Sequence, residues 1–449
     1  MNKRFFILFM TGCVVSAVSG QQIKVWSFQQ CLDTAMRRNI SINQSQLSNQ
    51  IDRINLEQSK ANRIPNLNAG ASEGLNFGKN IDPVTNQYVE QTYNSTNFSV
   101  NSSVNLFNGF QNRRTIQQNM MILNAGKYDI EKAKNDVILG VTTGYLQVLF
   151  SYEVLTAAKN QSDATTVQVD RTQKMVNAGK IPESNLFTIR AQQATDNLSV
   201  VNAQSQLDIA KVTLMQLMQV PIVDSFDIQK PEITDPNVQI LLSNEQIYQK
   251  ALTVQPQITS ASIRTNSALL GIRINEGARL PRLNLTGNVN SNFAGTSRKS
   301  SGSVNSGNIP FFNQLWNNMG EGLGLNLSIP IYSNRQIKSS IEKARVNALS
   351  AQLDEENTRL QLRKIIEQAY TDLRSSIKKF EATKEQVNAS ELAYKNVERK
   401  YNVGLSTAID FLIEKNNYFQ SQSNLIQAKY DYSFKAKILD FYQGKPITL

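Results

Sequence analysis

Few residues in this chain could carry out a reaction. Its 449 residues include no histidine, and cysteine occurs only at Cys13 and Cys31. Without imidazole, the commonest general base and the commonest transition-metal ligand are both missing. If the N-terminal apolar stretch is removed, Cys31 is the lone thiol, which excludes intrachain disulfides and cysteine metal clusters. No catalytic constellation clusters anywhere, so an enzyme is not expected, nor a cofactor or metal. What recurs instead is amide and hydroxyl at period two. Leu67, Ala69, Ala71, Leu75 and Phe77 alternate with Asn66, Asn68, Gly70, Ser72, Gly74 and Asn76, and Phe98, Val100, Val104 and Leu106 with Asn97, Ser99, Asn101, Ser103 and Asn105. Leu283, Leu285, Val289 and Phe293 alternate with Arg282, Asn284, Thr286, Asn288, Asn290 and Asn292, and Leu323, Leu325, Leu327, Ile329 and Ile331 with Gly324, Asn326 and Ser328. Each segment is a strand with one apolar face and one polar, mostly uncharged face. A polar face of this kind solvates what passes it and does not react with it. The lengths suit tilted membrane strands of about ten residues.

These strands must be positioned by much longer elements. Nothing between Asn334 and Val403 is Gly or Pro, so roughly seventy residues read as one helix about 100 Å long. Apolar or small residues recur in steps of three and four at Ile337, Ile341, Ala344, Ala348, Ala351, Leu362, Ile365, Ala369, Leu373, Ile377, Phe380, Thr383 and Val387, a seam that needs partner helices of similar length. A soluble four-stranded sandwich would show the same alternation, but it has nowhere to put such rods.

The chain is one unit used twice. Ile64-Pro65-Asn66-Leu67 returns as Leu280-Pro281-Arg282-Leu283, Leu106-Phe-Asn-Gly109 as Ile331-Tyr-Ser-Asn334, and Asn177-Ala-Gly179 as Asn402-Val-Gly404. The first repeat is read as 21–220, with strands at 66–78 and 95–107; a connector follows at 221–243, expected to be extended and outside the bundle. The second repeat is read as 244–443, with strands at 282–293 and 321–332, and a tail at 444–449 closes the chain. Each repeat begins with a helix, Phe28 to Arg63 or Asn244 to Arg279, that stops before an X-Pro. Two strands, a long helix, a Gly-containing tip and a return helix follow. The first long helix, Phe110 to Val176, carries Gly126, Gly140 and Gly144 and is expected to be the less regular. Its return helix is expected to open with Pro182 at its first position; the other runs from Thr407 to Tyr442. Pro65, Pro281 and Pro330 mark junctions between helix and strand.

Met-Asn-Lys-Arg followed by Phe5-Phe-Ile-Leu-Phe-Met10 and a small-residue stretch reads as a signal peptide over 1–20. Met10-Thr-Gly-Cys13 resembles a lipoprotein box, but apolar residues continue past Cys13, which disfavours lipid attachment. No later apolar run is expected to reach the length of a spanning helix. The net charge of +11 is spread along the helices; this predicts solvated helix faces and no nucleic-acid partner. Four strands cannot close a barrel, and eight would be filled by their own side chains. Three copies would supply twelve strands and leave room for water, with the apolar faces toward lipid. Phe107, Phe110 and Tyr332, with Phe77 and Tyr93, are candidates for two interfacial aromatic girdles.

The chain resembles the TolC-type outer membrane factors. The resemblance rests on the duplication, the Pro-x-Leu entries at Pro65 and Pro281, Leu327-Ser-Ile-Pro-Ile-Tyr-Ser-Asn-Arg335 before the long helix, and Tyr401-Asn-Val-Gly404 with Asp410-Phe-Leu412 at the tip. It implies a mainly α fold with a transmembrane β part: a homotrimer with a twelve-strand barrel in the outer membrane of a Gram-negative bacterium and a periplasmic coiled-coil tunnel. It further implies a passive exit duct for a tripartite efflux pump or type I secretion system. The expected partners are a periplasmic adaptor and an inner-membrane transporter of RND, ABC or MFS type. Asp410 stands where the family often has an acidic entrance residue, and a threefold carboxylate ring would favour cations. Thr407 and Asp410 also read as a helix cap, so both roles remain open. Ile413 replaces a second acidic residue of some members, Ser406 a basic latch residue whose tyrosine partner matches Tyr401, and Asn185 holds the Asp410 position in the first repeat. The turns at Gly179, Lys180, Gly404 and Leu405 are where an adaptor would dock. The alternative reading is a structural coiled-coil envelope protein without a pore.

Overall fold

The computed structural model describes residues 25–81, 88–90, 92–231, 242–295 and 309–447; the expected signal peptide lies outside them. The chain opens with β1 (Val25–Trp26), α1 (Phe28–Arg38) and α2 (Ile40–Ala61). One helix was expected here, but Asn39 adopts an extended backbone and its Oδ1 accepts from the Ser41 and Ile42 amides, so α2 starts afresh. After Pro65 come β2 (Asn66–Asn76), β3 (Lys79–Ile81), β4 (Tyr88–Glu90) and β5 (Tyr93–Asn108), then α3 (Gln111–Asn177) and α4 (Glu183–Leu217). Pro182 is the N-cap of α4, in extended conformation, and not its first helical residue. Next are β6 (Asp227–Ile228), α5 (Asn244–Val254) and α6 (Pro256–Gly277). Again two helices replace the expected one, because Gln255 precedes a proline and is pushed out of the helical region. β7 (Arg282–Ala294), α7 (Phe311–Asn317), β8 (Gly320–Ser328), α8 (Gln336–Asn402) and α9 (Ala408–Tyr442) complete the chain. The hairpin β3/β4 and the short helix α7 were not foreseen. β8 ends at Ser328, short of the expected 332, where Pro330 has no N–H to continue a ladder.

The sheet order is β2-β5-β7-β8, antiparallel throughout. Its register sorts the side chains into two faces. Asn68, Asn101, Asn288 and Gly322 lie in one row, flanked by Asn66, Ser103, Thr286 and Gly324. The opposite face carries Ala69, Val100, Val289 and, at the edge, Glu321, then Val104, Leu285 and Leu325, then Phe107, Leu283 and Leu327. A bulge between Asn105 and Phe107 keeps Phe107 on the apolar side. Among the described residues no helix covers most of that side: Leu67 is 74% exposed, Leu323 87% and Leu325 65%. Among the described residues, neither β2 nor β8 has a partner on its outer edge.

The strands turn into rods at two matching corners. Gly109 and Phe110 both have positive φ ahead of α3, as do Asn334 and Arg335 ahead of α8. Each pair of consecutive left-handed residues redirects the chain from the sheet into the rod that follows. At the first corner Gly109 lies so close to Gly277 that a Cβ on Gly277 would sit 2.5 Å from the Gly109 carbonyl oxygen. α3 and α8 each run unbroken for 67 residues, about 100 Å. Contrary to expectation, the glycines of α3 do not make it irregular. Gly126 and Gly144 lie where Asn49 of α2 and Leu217 of α4 pack closest. α3 also holds an apolar window long enough by composition to cross a membrane, which was not expected; half of it is buried inside the chain. The seam of α8 buries Ile341, Ala344, Ala348, Leu362, Ala369, Leu373, Phe380 and Thr383, but Ile366 in place of Ile365, which is 43% exposed. A step of four after Leu362 moves the buried stripe by one residue.

The core is a line of clusters along the rods. One joins Phe28, Cys31, Tyr145, Leu149, Leu207 and Leu214; another joins Ile247, Leu362, Ile366, Leu373 and Leu439; a third joins Ile189, Tyr401, Ala408 and Phe411 near the tips. The described part of the connector is fastened to the bundle and does not lie outside it. β6 pairs in parallel with β1, Phe226 and Ile228 are buried, and the Tyr145 hydroxyl donates to the Gln229 carbonyl at 2.7 Å.

Candidate functional site at the helix tips

The two tips share one construction. After α3, Gly179 has φ +66, its N–H donates to the Val176 carbonyl, and the Lys180 N–H donates to that of Met175. After α8, Gly404 has φ +81, its N–H donates to the Tyr401 carbonyl, and the Leu405 N–H donates to that of Lys400. This paired bonding satisfies the last carbonyls of each helix and requires a left-handed residue. A Cβ on either glycine would meet nothing within 4 Å, so both turns present bare backbone. Lys180 and Leu405 are exposed beside them.

The return helices start differently. Thr407 and Asp410 form a reciprocal cap: the Asp410 N–H donates to Thr407 Oγ1 at 3.1 Å, and Asp410 Oδ2 accepts from the Thr407 hydroxyl at 2.7 Å and from its N–H at 3.3 Å. These bonds, the hydroxyl's first, hold the fully exposed carboxyl below its ordinary pKa. Asn185 has no such role; it is half-buried, and its backbone N–H donates to the Pro182 carbonyl at 3.2 Å. Tyr401 is buried, stacked on Phe411 at 5.0 Å, and its hydroxyl lies 3.3 Å from the Thr172 hydroxyl of α3. Tyr401 therefore pins the end of the second long helix to the first. Ser406 is half-buried beside the cap, whereas Leu405, Ile409 and Ile413 form an exposed apolar stripe along the start of α9. Pro65, Pro281 and Pro330 lie at the other end of the rods, next to β2, β7 and β8.

Just above the tip is a charged cluster that sequence reasoning missed. Lys415 of α9 and Asp196 of α4 are each 1% exposed, with Nζ and Oδ2 3.0 Å apart. Gln161 of α3 and Gln192 of α4 donate to Asp196 Oδ1, both at 2.8 Å. The Thr165 hydroxyl also donates to Asp196 and faces the Lys415 ammonium. Burial lowers the Lys415 pKa, against the opposing pull of Asp196. Lys415 is thus an exception to the expectation that basic residues lie on solvated faces. Three helices meet there, and the charge is held by partners from all of them.

A family description, outer membrane efflux protein, matches the chain twice, over residues 31–219 and 247–444. The chain is 24% identical over 313 residues to the outer membrane protein TolC of Escherichia coli (strain K12), covering 69% of this chain and 62% of that protein. The aligned stretch is thus less than two thirds of that relative's length. Against the outer membrane efflux protein BepC of Brucella suis biovar 1 (strain 1330), identity is 22% over 422 residues, 93% of this chain and 85% of that protein. The fold is similar to that of the outer membrane protein VceC from Vibrio cholerae, with a TM-score of 0.75 at 15% identity over 94% of this chain and 97% of that one. A duplicated unit of strands and rods and a family match spanning both halves lead to one conclusion: the chain belongs to the outer membrane efflux protein family.

Proposed function

We propose that this protein is a passive exit duct in the outer membrane, built as a homotrimer, through which cargo leaves the periplasm. The observation that carries this reading is the four-stranded sheet, which among the described residues exposes an apolar face, an amide-lined face and two open edges. Lipid excludes unpaired backbone, so the edges call for sibling strands; three copies supply twelve, enough for a watery lumen. The apolar stripe of Leu405, Ile409 and Ile413 suits packing against a neighbouring copy. The bare turns at Gly179 and Gly404 suit a periplasmic adaptor that links the duct to an inner-membrane transporter of RND, ABC or MFS type. A threefold ring of Asp410 at the entrance would favour cations, and the same carboxylate caps its helix.

Planar-bilayer recording of the purified protein tests the duct directly. Stepwise, cation-preferring conductance is expected, together with an oligomer that survives detergent until it is boiled. A spacer without a pore would extract as a coiled-coil protein that gives no conductance at any concentration, and that result would end the duct reading.

A further inference from the structure

The short helix α7 has no part in the duct as described. It follows β7 at the end of the sheet remote from the rods, which in the barrel reading is the outer rim. Its inner side is firmly seated. The Phe311 ring lies 4.9 Å from Phe293 and 6.3 Å from Phe98, and both of these share the apolar face with Val100 by register. Pairing of β7 with β8 ends at Asn290 and Gly320; beyond that point α7 takes over the open edge. Buried Gln314 accepts from the Ala294 N–H at 3.1 Å and donates to the Ile309 carbonyl at 2.9 Å. Asn318 donates to the Asn292 carbonyl at 2.8 Å, and the Ser291 hydroxyl donates to the Leu315 carbonyl at 2.6 Å.

The outer side of α7 is apolar and uncovered. Phe312 is 80% exposed and Trp316, one turn on, is 76% exposed, with Met319 following at 44%. Residues 309–319 carry no charge. A soluble loop gains nothing from holding two large aromatic rings toward water. We infer that α7 is an interfacial anchor: Phe312 and Trp316 insert into the boundary between acyl chains and head groups of the outward-facing leaflet, with the indole N–H donating to lipid ester or phosphate oxygens. Three observations select lipid over a protein partner. α7 packs on the face that carries Leu323 and Leu325, beyond the row of Val289 and Glu321, so its rings lie at the rim of the band assigned to lipid. An aromatic side chain with a single polar atom suits that depth, and the absence of charge in residues 309–319 leaves no ionised group whose desolvation would oppose insertion. Three side-chain hydrogen bonds to β7 hold this segment and its rings at one height, where a free loop would not. The anchor rests on the barrel reading, because without a bilayer around the sheet there is no leaflet to enter.

The chain has only two tryptophans, Trp26 and Trp316, which makes the test direct. Full-length Trp26→Phe trimer is reconstituted in phosphatidylcholine vesicles with lipids brominated at shallow or deep acyl positions. Trp316 emission should fall by roughly half or more with the shallow label and less with the deep one, while aqueous acrylamide should quench it weakly. Strong acrylamide quenching without bromolipid quenching would place the ring in water and overturn the anchor. Protection from both would place it under a neighbouring protein chain, with the same consequence. If Trp26→Phe misfolds, the difference between the natural protein and Trp316→Phe reports the same quantity. Leu325→Trp, in the variant lacking both natural tryptophans, serves as the control. Its quenching by bromolipid with Trp316 unaffected would sink the anchor alone, whereas no quenching at either position would sink the barrel.

Discussion

Two residues near the tip show how differently charge can be held. Asp410 is in solvent and its partner is three residues away, so its environment is local. Its carboxyl pKa is depressed by the Thr407 bonds, so the cap's stabilisation is present above the unfolded-state pKa and is lost as pH falls through the lower folded value. If three copies of Asp410 line the entrance, cation preference should hold as pH drops past the ordinary Asp value of about 3.9 and fade only below it. Asp410→Asn should reduce that preference while leaving the cap, since an amide oxygen still accepts from Thr407; reversal-potential measurements check both. Lys415 and Asp196 are the opposite case. Removing one partner with Asp196→Leu or Lys415→Met strands a buried charge and should cost about 3–5 kcal/mol. The double variant should recover most of that loss, read as the temperature at which the oligomer dissociates. Equal losses in all three variants would mean that packing, not charge pairing, holds the cluster. The cap was readable because its partners are near neighbours in the chain. The buried pair joins residues 219 apart, and nothing around Lys415 or Asp196 separates them from the other charges on these helices.

At the scale of elements, the rods and their tips follow from local rules. An uninterrupted run with a seam reads as a long helix, and a glycine at its end supplies the left-handed residue that closes it. Gly404→Ala and Gly179→Ala should each cost about 1–2 kcal/mol through the left-handed backbone, with Asn tolerated better than Ala. Hydrogen exchange at the Lys180 and Leu405 amides should report this, and Ala behaving like Gly would contradict the turn assignment. A larger effect is expected at Gly277, where a side chain would strike the Gly109 backbone. Gly277→Val should block the first strand-to-rod corner and leave little assembled oligomer in detergent extracts. That contact was unreadable because it joins two repeats in space, and so was the seam's shift from Ile365 to Ile366. The breaks at Asn39 and Gln255 have local causes, an amide cap and an X-Pro, but the surrounding helical pattern masks both. α7 lies between β7 and β8, where the first copy has the hairpin β3/β4 instead of a helix, so internal comparison could not reveal it.

The whole molecule is organised by what one chain leaves unfinished. Its clusters of buried side chains run along the rods, while among the described residues the sheet keeps two exposed faces and two edges without partner strands. The alternation of Asn and Ser with Leu and Val made those faces readable, but the way the edges close is a property of several chains together. Native mass spectrometry of the detergent-extracted protein is therefore the most direct test of the central claim. The account predicts a single species with the mass of three chains that conducts ions once reinserted. A stable monomer whose Leu323 and Leu325 faces resist labelling by a water-soluble apolar-surface probe in the absence of detergent would contradict it.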